Sequence, residues 1–267
     1  MKDTKTASNN HAPLISVITV SLNSADYLEQ CIKSVLTQDC NDFEYVIIDG
    51  GSTDATAEII QRYQDRLAYW HSKPDRGLAH AFNQGVEHSS GHWLLFLNSD
   101  DYFAETTVLT ELTDAIRKHP NNDVVFGQVL VVSREIFPKR IGGPYGGSFR
   151  WSEFVMRDTI PHQGALTSRR FFERMGPFSE NFRIIVDYEH LMRAGPTLRA
   201  CFVPVLVSCM RDDGLSRSNV QGTLREWRKA VTIHGLLPCL LAWAFYYYFL
   251  MRSFVGRHAR RILGPWN

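Results

Sequence analysis

The chain has 267 residues, 44% of them hydrophobic, enough to bury one large core with or without an appendage. Its five cysteines (Cys31, Cys40, Cys201, Cys209 and Cys239) are odd in number and lack CxxC spacing, which excludes a disulfide frame and a zinc site and indicates a reducing compartment. The net charge of +1 is unevenly spread: six basic residues and no acidic one follow Glu226, whereas residues 1–226 hold 23 basic and 28 acidic residues, a balance that argues against nucleic acid as partner and gives the tail an affinity for anionic surfaces.

Residues 1–12 are polar, lack the apolar run of a signal peptide and read as a disordered leader. Leu14–Val20 is a β-branched run and predicts a first strand, broken by Ser21-Leu22-Asn23-Ser24, where Asn23 or Ser24 can cap a helix. Leu28, Ile32, Val35 and Leu36 recur at helical spacing. Glu44–Ile48 predicts a second strand, ending in Asp49-Gly50-Gly51-Ser52-Thr53-Asp54, and a helix follows with Ile59, Tyr63 and Leu67 on one face. Leu67–His71 reads as a short third strand, Pro74–Gly77 as a turn, and Leu78–Glu87 as a helix with Leu78, Phe82 and Val86 aligned.

Trp93–Leu97 is an apolar run stopped abruptly by Asn98-Ser99-Asp100-Asp101, which reads as a buried strand with two carboxylates at its carboxyl end. Neighbouring carboxylates repel each other, and a hard cation such as Mg²⁺ or Mn²⁺ removes that cost while leaving positions open for phosphate oxygens. A helix N-cap is the plainer use of such aspartates. Beyond them, Thr107–His119 predicts a helix, Asp123–Val132 a long strand, residues 138–150 a mobile Gly/Pro-rich loop, and Pro161–Thr167 another strand. Ser168 is placed to cap a short helix ended by Gly176, followed by a helix over Ile184–Arg193 and a strand over Leu198–Cys209. Strands alternating with helices predict an α/β fold with a mostly parallel sheet flanked by helices. Polar residues gather at the carboxyl ends of the first four strands, where open α/β sheets bind ligands.

The segments LISVITVSLN (14–23), VIIDGGSTD (46–54), SKPDRGLAHAFNQG (72–85), FLNSDD (96–101) and HQGALTSRRFFERMGPFSENFRIIVDYEHLMR (162–193) together resemble family 2 glycosyltransferases. The resemblance covers roughly residues 13–217. It implies the GT-A type Rossmann-like fold, a nucleotide-diphosphate-sugar donor (a UDP-sugar is the reading), Mg²⁺ or Mn²⁺ as cofactor, and transfer with inversion. The domains follow as a leader (1–12), a GT-A domain (13–219) and a helical tail (220–267).

Carried over by the resemblance, Val20, Ser21 and Asn23 would line the base pocket, and Asp49 would bond the base or ribose. The family carries a second Asp where this chain has Gly50. Arg76 would lie near the base and phosphates, and Asn83 in a helix facing the cleft. His80 stands where many relatives carry Asp. Asn98-Ser99-Asp100-Asp101 replaces the DxD motif, with Asp101 on the metal and Asp100 on the ribose or the metal's water shell. Asp187 would be the base that deprotonates the acceptor hydroxyl, with Glu189 as runner-up. His162 and Gln163 match a pair near the acceptor or diphosphate, and Ser216 or Arg217 a loop over the diphosphate.

Gly235–Met251 contains no formal charge and is rich in Leu, Phe, Trp and Tyr, with arginines after it. As a helix it falls short of the roughly 20 residues a span takes, and its tyrosines suit a membrane interface. It reads as a surface anchor, with packing on the catalytic domain as the alternative. The reading is then a cytoplasmic enzyme, peripheral at the inner membrane face, that glycosylates a saccharide or a polyprenyl-diphosphate-linked acceptor in surface-polysaccharide synthesis. Two other classes compete. A sugar nucleotidyltransferase needs a Gly-rich loop after the first strand, and VSLNSADY has no glycine. A silent nucleotide-sugar-binding or scaffold domain has no need of Asp100, Asp101 and Asp187. A dinucleotide oxidoreductase is excluded by the lack of G-x-G-x-x-G after the first strand.

Overall fold

A computed structural model of the chain describes residues 12–135, 138–212, 214 and 218–263, the last eleven as helical backbone only. The expected leader over 1–12 therefore lies outside the described residues but for its last, as do Ser216 and Arg217.

The first half alternates as its periodicities demand: β1 (Ile15–Ser21), α1 (Leu28–Leu36), β2 (Phe43–Asp49), α2 (Thr56–Arg62), β3 (Tyr69–Ser72), α3 (Leu78–Glu87) and β4 (Trp93–Phe96). β5 (Tyr102–Phe103), α4 (Val108–Lys118), β6 (Val124–Val132), β7 (Arg140–Tyr145), α5 (Trp151–Phe154), β8 (Ala165–Ser168), α6 (Arg169–Met175), α7 (Val186–Met192) and β9 (Ala200–Arg211) follow. Helices α8 (Val220–Ile233) and α9 (Cys239–Leu263) end the chain. One sheet runs β3-β2-β1-β4-β8-β6-β9-β5, with β7 paired to β6. β1 to β4 are parallel, as are β6 and β9, while β5, β7 and β8 run antiparallel to their neighbours.

Both faces of the sheet are covered, so its strands are apolar on alternate residues in both directions. Ile18, Val20, Val46, Ile48, Leu94 and Phe96 enter a core beneath α3 and the later helices. Ile15, Val17, Tyr45, Ile47, Trp93 and Leu95 enter a second core beneath α1, α2 and α4. Gly85 lets α3 settle on β1, since a Cβ there would stand 2.4 Å from Ile18 Cγ2.

Several local expectations are corrected. Neither Asn23 nor Ser24 caps α1; the cap position is Tyr27, and Asn23 instead takes a left-handed conformation at φ +50°. Leu67 lies beyond α2, which stops at Arg62. The 138–150 segment is not a plain loop: its first part pairs with β6 as β7, and Tyr145, Gly146, Gly147 and Ser148 then turn into the cleft described below. The Ser168 cap stands, with its Oγ accepting the Phe171 N–H at 3.3 Å and Gly176 closing the helix at φ +79°.

The tail begins as part of the fold. Trp227, Ala230 and Val231 of α8 are buried, and the Trp227 indole N–H donates to the Val155 carbonyl at 2.8 Å. The uncharged stretch does not start a helix at Gly235, which turns at φ +64°. α9 starts at Cys239, buries Ala242 and Tyr246, and leaves Leu240, Leu241, Tyr247, Tyr248 and Met251 exposed. Among the described residues no helix is long and apolar enough to cross a membrane.

α7 is held from the opposite side by His190, buried among Phe171, Phe172 and Phe178 and bonded through Nε2 to the Gly176 carbonyl at 2.9 Å. Burial pushes its pKa from 6.5 down to about 4. The unfolded chain therefore binds the extra proton between those values, and the stability this histidine contributes is complete above pH 6.5 and lost as pH falls toward 4. The loss amounts to about 3 kcal/mol. Urea titrations across that window should show this slope, and His190→Gln should flatten it; an unchanged slope in the variant would assign the acid sensitivity elsewhere.

Candidate active site

The carboxyl ends of β1, β2 and β3 lie side by side, with Ser21 opposite Asp49 and Asp49 opposite Ser72. Asp49 is fully buried and joins the row, accepting bonds from Ser21 Oγ (3.0 Å), Ser52 N–H (2.9 Å), Ser52 Oγ (2.5 Å) and Ser72 Oγ (2.6 Å). Four donors occupy both its oxygens. Asn23 makes a parallel tie: its Oδ1 accepts the Thr53 N–H at 2.9 Å while its own N–H donates to Ser52 Oγ at 2.8 Å. The two loops after β1 and β2 thus form one hydrogen-bonded rim.

Above this rim lies a cleft of about 1770 Å³. Val20, Ser21, Asn23, Asn98, Ser99 and Asp100 line its floor, and His162, Asp158 and Asp187 line it further along. Met156, Leu224, Trp227 and Phe249 also line it, together with Glu153, Arg157, Thr223 and Arg252. Of the residues expected at the site, the structure brings Val20, Ser21, Asn23, Asp100 and Asp187 to this one cleft. Others sit elsewhere. Asp49 lies beneath the floor, engaged as above. Arg76 is bonded in a fork to Glu180 at 2.9 and 2.6 Å. Asn83 exchanges two bonds with the backbone of Phe178, at 2.9 and 2.8 Å, and so clamps α3 to the segment after α6. His80 accepts the Arg76 N–H at 3.4 Å.

The two adjacent aspartates divide. Asp100 reaches the cleft. Asp101, 2% exposed, turns behind it, where its Oδ1 accepts the Arg211 N–H at 3.0 Å and its Oδ2 the Asn98 amide at 3.3 Å. Burial first, and then the charge of Asp100, push the Asp101 pKa well above the usual carboxylate value. Arg211, to which the sequence reading gave no individual role, lies beside this turn. Buried at the end of β9, it donates to the Asp100 carbonyl at 2.5 Å and to Gln30 at 2.6 Å, and it stacks over Tyr27 at 4.4 Å. Its signal was a basic residue closing a strand that must end beside the acidic turn. A divalent cation fits this donor set. Asp100 lines the cleft, where a cation would meet its carboxylate, whereas both oxygens of Asp101 already accept hydrogen bonds from Arg211 and Asn98. Among the described residues no group of three or more His, Cys, Asp or Glu is gathered so as to hold a metal ion.

Asp187 sits in the first turn of α7, its side chain 24% exposed, with Oδ2 3.4 Å from His162 Nδ1. His162 stacks on Phe96, and its Nε2 is buried without a hydrogen-bond partner among the described residues. Burial lowers its pKa against the pull of Asp187. A neutral ring with its proton on Nδ1 turns an N–H toward Asp187 without closing a hydrogen bond at 3.4 Å; the other tautomer would aim a lone pair at the carboxylate and bury an unpaired N–H. Asp158 is a second residue that sequence reading missed. Desolvation by the cleft walls, then the charge of Asp187, raise its pKa well above the usual value.

Glu189, the runner-up base, is not among the residues lining the cleft. It is 2% exposed, bonded to Arg193 at 3.0 and 2.7 Å and to His234 at 2.7 Å. Burial works to raise its pKa, but Arg193 and His234 outweigh that and hold it below the ordinary value. Glu226 of α8 completes the fastening of α7, accepting the N–H groups of Arg183, Ile184 and Ile185 at 2.9 to 3.2 Å.

A family model described as glycosyl transferase family 2 matches residues 16–185. A PGL/p-HBAD biosynthesis glycosyltransferase of Mycobacterium tuberculosis is 32% identical over 208 residues, 76% of this chain and 78% of that protein. Among solved structures, that of S. aureus TarS 1–349 in complex with UDP superposes with a TM-score of 0.67 at 18% identity, covering 94% of this chain and 75% of that one. The mannosyltransferase PcManGT from Pyrobaculum calidifontis, in complex with GDP-Man and Mn²⁺, gives 0.65 at 18% identity, covering 96% and 77%. At these identities the structural likeness speaks for the GT-A fold.

Proposed function

This chain belongs to glycosyl transferase family 2, and from that premise we propose an inverting transfer of a sugar from a UDP-sugar to a hydroxyl of a saccharide or lipid-linked acceptor in cell-surface polysaccharide or glycolipid synthesis. The observation that carries the reading is that Asp100 and Asp187 line one cleft at the carboxyl ends of the strands. Inversion by direct displacement needs an anion-stabilising end and a base end in a single cavity.

Val20, Ser21 and Asn23 line the donor end, and Asp49 acts beneath them as a positioning residue that holds the two rim loops together. Asp100, backed by Asp101, would hold Mg²⁺ or Mn²⁺, whose chemistry when bound is to neutralise the diphosphate leaving group. Arg211 keeps the acidic turn in place. Asp187 accepts the proton of the acceptor hydroxyl as that oxygen attacks the anomeric carbon and the bond to the diphosphate breaks. His162 lies against Asp187, with its Nδ1 3.4 Å from the carboxylate. Arg76 and Asn83 act on the frame of α3 rather than on the donor.

The acceptor end would lie where apolar Met156, Leu224, Trp227 and Phe249 line the cleft together with the basic Arg157 and Arg252 and the acidic Glu153. That lining favours an acceptor with an apolar portion and an anionic group. The same α9 that supplies Phe249 and Arg252 exposes Leu240, Tyr247 and Met251 on another face. These residues follow one another at helical spacing, as a monotopic membrane contact requires. We place the enzyme peripherally at the inner membrane face on that basis.

One assay tests the reading: nucleoside diphosphate release over a panel of donors, with Mn²⁺ and a lipid-linked acceptor presented in anionic vesicles. UDP release that depends on acceptor, with the enzyme pelleting with the vesicles, is the expected result. No release from any donor would overturn the transfer reading; release with the enzyme left in the supernatant would overturn the membrane contact alone.

A further inference from the structure

We propose that the groove between α8 and α9 binds the phosphate of an anionic phospholipid headgroup, and that this contact seats the exposed face of α9 in the membrane surface. This rests on the reading of α9 as a membrane contact and is independent of the transfer chemistry. The groove has a volume of about 660 Å³ and shares no lining residue with the cleft. Arg225, Arg228 and Lys229 come to it from α8, and Trp243, Tyr246 and Tyr247 from α9. Three and four residues apart, the cations share one face of α8, where like charges repel. None of the three has an ion-pair partner among the described residues. One carboxylate, Glu226, also lines the groove, but it is engaged by the N–H groups of Arg183, Ile184 and Ile185. Three cations against one acid leave the groove positive. Two of them are held in place. The Arg228 guanidinium stands over the Trp243 ring, 3.8 Å from its centre, and its Nε is buried without a hydrogen-bond partner among the described residues. Lys229 Nζ donates to the Asn181 carbonyl at 3.0 Å.

What adjoins the charge selects the ligand. The Trp243 and Tyr247 rings stack at 5.6 Å, and Tyr247 is 56% exposed. Tyr247 also belongs to the face of α9 that carries Leu240, 85% exposed, and Met251, 63% exposed. The basic groove and the apolar face therefore meet at an aromatic side chain. Guanidinium and ammonium groups recognise phosphate. A free anion would use those cations alone and leave the apolar side chains in water. A phospholipid layer offers phosphate, an interface that suits Trp and Tyr, and hydrocarbon, in that order of depth. No acidic residue follows Glu226 in the chain to oppose such a surface.

The test is flotation of the full-length chain with vesicles of phosphatidylcholine alone and of equimolar phosphatidylcholine and phosphatidylglycerol. The unaltered chain should bind the anionic vesicles and leave the neutral ones largely bare. Near an anionic surface each basic residue contributes about fivefold, so Arg225→Gln, Arg228→Gln and Lys229→Gln combined should lower the partition by about 100-fold. Arg225→Gln alone, at an exposed side chain, should lower it about fivefold with the melting temperature in place. The same loss of charge at Arg62, Arg117 and Lys118, on α2 and α4 over the other core, should change it by less than about twofold, since charges beyond a Debye length are screened. Inorganic phosphate added at constant ionic strength should release no protein. Equal binding to both kinds of vesicle would leave the membrane contact standing and overturn the headgroup site. Undiminished binding by the triple variant, or an equal loss in the α2 and α4 set, would overturn it as well. Release by inorganic phosphate would give the groove to a soluble anion, and a dimer in sedimentation velocity that the triple variant loses would give it to a second copy; either overturns the assignment. Binding to neither kind of vesicle would instead bring down the membrane contact, and the headgroup site with it.

Discussion

Asp187→Asn is expected to lower kcat by about 10²–10⁴-fold, the range general-base catalysis supplies, with affinity for the donor nucleotide unchanged. The amide is nearly the same shape as the carboxylate and keeps the contact with His162 Nδ1, 3.4 Å away in the native enzyme. It cannot take a proton, so the acceptor hydroxyl would have to attack unassisted. Asp187 sits in α7, whose N-terminal end is tied by Glu226 and whose Glu189 is tied by Arg193 and His234, so the exchange should leave the melting temperature in place. Steady-state kinetics with the nucleotide Kd measured separately distinguishes loss of chemistry from loss of binding. Native turnover in the variant would remove Asp187 as the base and direct attention to Asp158, which faces the same cleft.

The second large effect belongs to the acidic turn. Chelation of divalent cations should stop transfer reversibly, and Asp100→Ala should bring the enzyme to about that same level with Mn²⁺ present, a loss on the order of 10²–10³-fold for the several kcal/mol a cation contributes at a developing anion. Donor binding should then become insensitive to Mn²⁺. The physical basis is the division of the pair, with Asp100 at the cleft and Asp101 behind it against the Arg211 N–H. If Asp100→Ala keeps its Mn²⁺ response, the cation is held by other groups and the assignment of the turn fails.

Much of this site was legible in the chain because it depends on short-range patterns. The apolar run Trp93–Leu97 and its acidic stop mark a buried strand with carboxylates just beyond its carboxyl end, and the structure has both. Arg76, Asn83 and Asp49 were harder. Each occupies a position that the family resemblance assigns to the cleft, and each is engaged by a partner that the resemblance does not reveal: Glu180, Phe178, and the hydroxyls of Ser21 and Ser72. Those partners lie between 23 and 104 residues away along the chain. The choice between Asp187 and Glu189 had the same character. Arg193 at one helical turn from Glu189 could be seen in the sequence, but His234 in the tail could not. β7 escaped notice because its glycines and proline read locally as a loop, whereas a place on the outer half of β6 makes it a strand.

By itself the amino-acid order determined the alternation of elements, the two-faced burial of the central strands and the presence of aspartates at their carboxyl ends, because period and side-chain polarity act over a few residues. Only the tertiary structure decided which of those aspartates face the cleft, that Arg211 braces the acidic turn, and that α8 belongs to the catalytic body while α9 keeps an uncovered face. Those outcomes depend on which distant donor reaches a carboxylate first once the chain has closed, and such competition is settled by packing geometry rather than by spacing along the chain.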